Sequence, residues 1–510
     1  MTRINLKENL SYIIQIIFLC LFSWLFLNVF LVNQVYGNKD IFNPIIVLSI
    51  TIYFFVICVF AYKVILKQTD WFTKYESLIV TIILLTLFFV QLYISMRLET
   101  NPQFDYEAVY RGAIQWFSSG NLGGFQDYFY KFPNNIGCLF LLKIYFQFLN
   151  LFGVKDFYLA GTILVSAIFE IGYYIVYLIV RRLYGLQNAL MSLFLCVLIL
   201  PIYFYGAIFY TDTLTFFFPV LIYYLFLKAK DTNSKKLKYI LFVIIGIVTA
   251  VGMIVKLSVV FMLIAICIDI FLALDIKKYI IKICVCILSL AIIFITFQTY
   301  VYNCGILDKA TADTKKIPYS HWLSMTLVND GSYNNEDYGY IYSFKTTKEM
   351  DKVAWDKYFQ RLNDYGVTGY IIFLNRKQIT TWGNGTFNIN EFLRTRPVNN
   401  TSLHDIVLSG GKYNMMFSNI CQGIYIGLFF LIILYIFIIV KKRKGYKSTD
   451  NKSLAIYIVI LGLYIFFLIW EANPRYLINY IPIFIIAAVP GINEFNRILD
   501  QRRTKKKIEN

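Results

Sequence analysis

Four short stretches of this sequence set charged side chains against long apolar runs. In Gln103-Phe104-Asp105-Tyr106-Glu107, a carboxylate lies shortly after an apolar run. Partial desolvation there raises a carboxylate toward the pKa of a useful general base. Asp105 and Glu107 equally suit the first turn of a helix, where acids complement the free N–H groups. In Phe132-Pro133-Asn134-Asn135 the proline reads as a helix entry and the two amides as groups that could bind a sugar. Asp212, within Tyr210-Thr211-Asp212-Thr213, is either a cap or an acid at the mouth between two apolar runs. In Trp470-Glu471-Ala472-Asn473-Pro474-Arg475-Tyr476, Arg475 offers the fork of donors that fits a phosphate, or else anchors at lipid headgroups. Lys256, between two long apolar runs, reads the same two ways: it holds a phosphate or it snorkels.

The elements that must position these residues are apolar. Of 510 residues, 58% are hydrophobic, too many for a soluble chain of this length. Runs long enough to cross ~30 Å of hydrocarbon lie at 12–32, 44–66, 77–96, 157–180, 188–207, 214–227, 239–255, 257–274, 280–300, 420–440, 454–470 and 476–495. The formal net charge is +18. In a soluble protein that would indicate nucleic acid. Here the cations sit in short loops between runs: Arg3 and Lys7; Lys63, Lys67 and Lys74; Arg181 and Arg182; and the clusters at 228–238, 277–282, 441–447 and 502–507. That is the positive-inside pattern of a multi-pass cell-membrane protein with no nucleic-acid partner.

Placing those clusters in the cytoplasm puts both termini inside and all four stretches outside. It also allows only one crossing between Arg97 and Arg181. The apolar run 134–152 is therefore expected to lie in the outer interface, with Lys143 and Gln147 on its wet face. As a span it would bury Lys143 in mid-membrane at a cost of about 2.5–3.5 kcal/mol.

The expected architecture is an all-α polytopic bundle of about 12 transmembrane helices with a mixed α/β or α extracytoplasmic insert. Residues 1–300 form an N-terminal membrane region with an outer loop at 97–156, residues 301–419 the insert, and 420–510 a C-terminal membrane region with a basic tail. Within the insert, 348–365 has helical periodicity and Gly366 supplies a stop. Residues 367–374 read as a strand or as a helix dipping into the interface. The nine cysteines lie mostly inside apolar runs, and only two histidines are present. Neither a disulfide framework nor a His/Cys metal site is expected. The first run is too long for a signal peptide and lacks a small-residue cleavage site. No P-loop or dinucleotide motif is present, and no internal repeat supports a two-half transporter.

Taken in order, these stretches resemble the GT-C superfamily of polytopic glycosyltransferases, in particular a bacterial branch similar to dolichyl-phosphate-mannose protein mannosyltransferases. Asp105 matches the place of that family's essential Asp, early in the first long outer loop. Phe132-Pro133-Asn134 resembles its entry into an interfacial helix. Arg182-Leu183-Tyr184-Gly185, Thr211-Asp212 and the Gly-containing span ending at Lys256 follow in the family's order. Two extra spans precede the family frame, Asp-Tyr-Glu replaces the adjacent acidic pair, and Pro-Asn replaces the usual double proline. The segments around His321-Trp322, Asn334 to Tyr338 and Trp382 to Gly385 resemble an outer region that would contact acceptor or sugar.

The resemblance implies transfer of a sugar from a polyprenyl-phosphate donor to an extracytoplasmic acceptor: a cell-envelope polymer, lipid or protein. Asp105 would be the catalytic base. Glu107, Asn134, Asn135, Asp212, Lys256, Glu471, Arg475 and Tyr476 would contact substrate, and the carrier's tail would lie in membrane lipid. Asp105 and Asp212 are the two acids that could share a divalent metal; none is assigned. The alternative is a lipid-linked sugar flippase or transporter. A flippase should carry ionisable groups inside several spans, and here only Glu170 and Asp269 stand well inside one. A polymer ligase of the envelope differs mainly in donor size.

Overall fold

The computed structural model describes residues 3–31, 42–273, 276–393, 397–442 and 454–509. Among these every regular element is helical, and the backbone forms a single isolated bridge, Thr100 with Pro397. Nine helices are long and apolar enough to cross a membrane: Lys7–Leu31, Pro44–Lys67, Glu76–Arg97, Phe157–Tyr184, Thr211–Asp231, Lys235–Val255, Ile276–Asn303, Asn414–Lys441 and Pro474–Arg502. Three shorter apolar helices are Leu186–Leu198, Leu257–Leu272 and Leu454–Ile469. Eleven of the twelve apolar runs fall on one of them, and the twelfth, 188–207, is covered by Leu186–Leu198 only in its first half.

Local chemistry sets the helix ends. Asn43 accepts from the N–H groups of Ile45 and Ile46 at 3.0 and 3.3 Å, with Pro44 in the first turn. Asp156 accepts from Leu159 N–H at 2.9 Å. Gly185, at φ +88°, ends the same helix where a side chain would be strained. Two contacts fix Glu76–Arg97 antiparallel to Phe157–Tyr184: Arg181 Nε bonds Glu76 at 2.9 Å, and Tyr158 OH donates to Ser95 O at 2.8 Å. The Ile481–Glu509 helix buries Ile483, Ile485, Ile486 and Val489 completely at the centre. Ile276–Asn303 is peripheral and exposes Ile281, Leu288, Ile292 and Ile295. Such a face suits hydrocarbon rather than water.

The run 188–207 is not one helix. It breaks at Ile199 (ψ +77°), between Leu186–Leu198 and Leu200–Tyr205. Pro201 has no N–H to return to the Val197 carbonyl, which accepts from Tyr203 OH at 2.9 Å instead. The run 134–152 becomes the helix Ile136–Leu151, of 16 residues. At 1.5 Å per residue it spans about 24 Å, the length of Leu454–Ile469 too, so its polar side chains rather than its length set it apart. The Lys143 ammonium lies 5.4 Å from the Trp116 ring and Gln147 is exposed. Gly137 at its start packs against the backbone of Ile254, where a Cβ would collide with the carbonyl. That approach sets the Pro133–Asn135 turn against the C-terminal end of Lys235–Val255, which Lys256 follows.

The 301–419 segment contains the helices Lys309–Lys315, Tyr319–Met325, Asn335–Tyr342, Thr347–Trp382, Ile389–Leu393 and His404–Val407. Of the two alternatives for this insert, the described residues take the α one. Residues 367–374, left open between strand and helix, are helical. A capping box joins Thr346 and Glu349, and Gly366 (φ +57°, ψ −178°) kinks the long helix where a stop is expected. Arg361 grips Asp337 with two bonds of 2.6 and 2.7 Å and donates to Ser324 O at 2.8 Å. This ties three of the helices together. Of the cationic clusters, residues 443–447 and the side chains of Arg3 and 503–507 lie outside the described residues.

Candidate functional site

The Phe104–Ser119 helix opens on Phe104 at φ +53°, a conformation that is strained for a non-glycine residue. Asp105 follows. Its side chain does not cap the helix. Its Oδ1 accepts from Tyr128 OH at 2.7 Å, and its Oδ2 lies 3.4 Å from Tyr210 OH. Asn135 joins both tyrosines: its amide donates to Tyr128 OH at 2.5 Å and its carbonyl faces Tyr210 OH at 3.3 Å. Burial, reinforced by Asp105, holds the Tyr128 phenol well above its usual pKa, so it stays a neutral donor.

A charged triad lies behind Tyr210. Asp212, 2% exposed, pairs with Lys256 and with Arg475, the latter at 3.3 Å between Nε and Oδ2. Two cations against one carboxylate leave the triad one positive charge in excess. The Arg475 guanidinium packs over Phe392 at 4.5 Å and over Tyr210 and Tyr476, each at 5.3 Å. Tyr476 OH donates to buried Glu471 at 2.8 Å. Burial raises the Glu471 carboxyl, against the Tyr476 bond and the charge of Arg475. Burial pulls the Lys256 ammonium down, against Asp212. Local sequence explains the presentation. Asn473 caps Arg475 N–H at 3.1 Å with Pro474 opening the turn, and Lys256 is an extended residue (φ −151°) between two helices.

The structure thus brings together Asp105, Asn135, Asp212, Lys256, Glu471, Arg475 and Tyr476. Glu107 turns away and pairs with Arg111 at 3.5 Å on the surface. Asn134 is exposed and touches the group only through Asn135, at 3.3 Å. Sequence reasoning did not single out Tyr128 and Tyr210, the two hydroxyls that link Asp105 to Asn135. In a chain with 41 tyrosines, an aromatic at a span end reads as an interfacial anchor. Two residues of the insert also escaped it. Tyr333 sits 6.3 Å from Tyr338, on a turn whose Gly331 carbonyl accepts from Ala472 N–H at 2.8 Å. Asp105 and Glu471 both act on its phenol, which burial chiefly raises. Lys377 is fully buried and donates to Thr326 O at 3.2 Å. Burial lowers it to about 7, against the charge of Glu471.

A divalent metal shared by Asp105 and Asp212 does not suit this donor set. Asp212 already faces two cations, and Asp105 accepts from neutral phenols. Among the described residues no group of three His, Cys, Asp or Glu converges to hold a metal.

A family model described as "conserved hypothetical integral membrane protein" matches residues 2–494. The chain belongs to that family. It is a multi-pass membrane protein, as its apolar helices also indicate. No match is found among curated proteins. Three solved structures are similar over most of the chain. The oligosaccharyltransferase of Archaeoglobus fulgidus, tethered to an acceptor peptide containing the NVT sequon, is 12% identical with a TM-score of 0.44, over 85% of this chain and 51% of that one. AglB from Archaeoglobus fulgidus, in complex with an inhibitory peptide and a dolichol-phosphate, is 14% identical with a TM-score of 0.41, over 86% and 52%. ArnT from Cupriavidus metallidurans, bound to undecaprenyl phosphate, is 11% identical with a TM-score of 0.35, over 82% and 78%. The chain spans about half the length of the two Archaeoglobus proteins.

Proposed function

We propose that this protein is a GT-C-type membrane glycosyltransferase, moving a sugar from a polyprenyl-phosphate donor to an acceptor outside the cell membrane. One observation carries the reading. Tyr210 joins Asp105 through its hydroxyl and carries Arg475 against its ring. A base and a cationic phosphate site therefore lie one side chain apart. Asp105 takes the proton of an acceptor hydroxyl, whose oxygen attacks the anomeric carbon. The bond from that carbon to the phosphate oxygen breaks, and the lipid phosphate leaves with the electron pair. Arg475 and Lys256 stabilise the charge that develops there, and Asp212 holds both cations in place. Glu471 positions Tyr476 beside them. The order of motifs along the chain favours the bacterial branch resembling dolichyl-phosphate-mannose protein mannosyltransferases.

The test uses purified protein in proteoliposomes with a polyprenyl-phosphate donor labelled in its sugar, plus an envelope extract as acceptor. The expected result is label moving from the lipid to a new acceptor fraction. Translocation of intact labelled lipid between leaflets, with no transfer, supports the flippase reading instead.

A further inference from the structure

Away from this site, the helices Glu76–Arg97 and Phe157–Tyr184 enclose a polar group that the transfer reaction does not use. Gln91, Ser95, Ser166 and Glu170 are 1%, 0%, 0% and 9% exposed. The side-chain oxygens of all four, and the Gln91 amide nitrogen, have no hydrogen-bond partner among the described residues. Gln91 and Ser95 are four residues apart on one helix, as are Ser166 and Glu170 on the other, so each pair shares a face. Gly206 brings the faces together. A Cβ there would collide with Ser95 Oγ and lie 3.6 Å from Ser166 Oγ. The Gln91 amide faces the Glu170 carboxyl without reaching hydrogen-bond geometry. The other titratable groups facing that carboxyl are Tyr173, Cys196 and Tyr203. No lysine, arginine or histidine among the described residues acts on it.

A carboxylate among apolar helices must be neutralised by a proton, a cationic side chain or a bound ion. The second is not provided here. The remaining groups are hydroxyls and an amide carbonyl, the hard oxygen donors that suit alkali and alkaline-earth ions. One carboxylate among neutral donors balances a single positive charge. Cys196 and Tyr203, on either side of the helix break at Ile199, both lie within range of the Glu170 charge. In secondary transporters the unwound backbone of an interrupted helix offers carbonyl oxygens to sodium.

We propose that Glu170, with Gln91, Ser166 and Ser95, binds a monovalent alkali cation between these two helices. The ion braces the floor under Gly206, four residues before Tyr210. This inference does not depend on sugar transfer.

The test is thermal unfolding of the full chain in detergent, in sodium, potassium or choline chloride at equal ionic strength. A saturable rise of the midpoint is expected in sodium or potassium over choline, and the larger rise identifies the ion. Glu170→Gln should unfold at one temperature in all three salts. Ser166→Ala should keep the effect but need several-fold more salt for half of it. Binding of radioactive sodium or rubidium by wild type, absent in Glu170→Gln, would give the same answer without reference to stability. Identical unfolding of wild type in all three salts, or an unchanged salt effect in Glu170→Gln, would overturn the site and leave Glu170 a buried neutral acid.

Discussion

Arg475 is surrounded by three aromatic rings and has Asp212 in front of it, so its guanidinium has little freedom left to lose on meeting a phosphate. A charge-assisted bond of this kind contributes about 1.5–3 kcal/mol. Arg475→Ala should therefore weaken apparent donor affinity at least about tenfold, measured as KM for the lipid donor in a folded variant; unchanged affinity would make Arg475 a headgroup anchor. Lys377 gives a stability prediction with a definite sign. Its pKa falls from 10.5 free to about 7 folded, so between those values the unfolded chain holds the extra proton. Stability should rise with pH across that window, by up to about 1.4 kcal/mol per pH unit. Below pH 7 both states are charged and the burial penalty is constant. Lys377→Met should flatten the rise in a pH series of unfolding midpoints; an identical slope would refute the assignment. The charged residues at span ends were legible because a carboxylate or guanidinium beside hydrocarbon needs a reason to be there. Their linkers, Tyr128 and Tyr210, were not legible, because a phenol at the interface needs none.

At the scale of elements, the twelve apolar runs could be read directly, since each carries enough apolar length to specify a helix. Short apolar segments could not. Residues 367–374 fit strand and helix equally in sequence, and are helical as the start of the segment that runs from the Gly366 kink to Trp382. Pro201 marked the break at Ile199, but length alone made 188–207 look continuous. The Ile136–Leu151 helix carries a prediction of its own. With Lys143 over Trp116 and Gln147 exposed, it is expected to lie along the outer interface. A cysteine at Lys155 should then react with a membrane-impermeant thiol reagent added outside intact cells. One at Arg182 should react only after the cells are opened, with the wild-type background subtracted. Labelling of Lys155→Cys only from the cytoplasm would make the helix a span and invert every later loop.

The whole molecule arranges its charge so that an acid linked to neutral hydroxyls and a triad with one excess positive charge meet at Tyr210. The insert closes over both parts: Ile317 N–H bonds Lys131 O at 3.2 Å on the Asp105 side, and Gly331 O accepts from Ala472 N–H on the Arg475 side. This joining of distant segments could not be read from the sequence, which placed the insert outside but gave it no partner. If Asp105 is the base and the triad holds the phosphate, binding and chemistry are separable. Asparagine matches aspartate in size and its carbonyl can still accept from Tyr128 OH, so Asp105→Asn should fold and insert normally. It cannot take a proton, and general-base catalysis contributes roughly 10²–10⁴-fold. The decisive measurement is the transfer rate of reconstituted Asp105→Asn from a labelled polyprenyl-phosphate sugar, with donor binding measured on the same sample. Retained binding with transfer reduced by roughly two orders of magnitude or more is the expected result; transfer near the wild-type rate would contradict it.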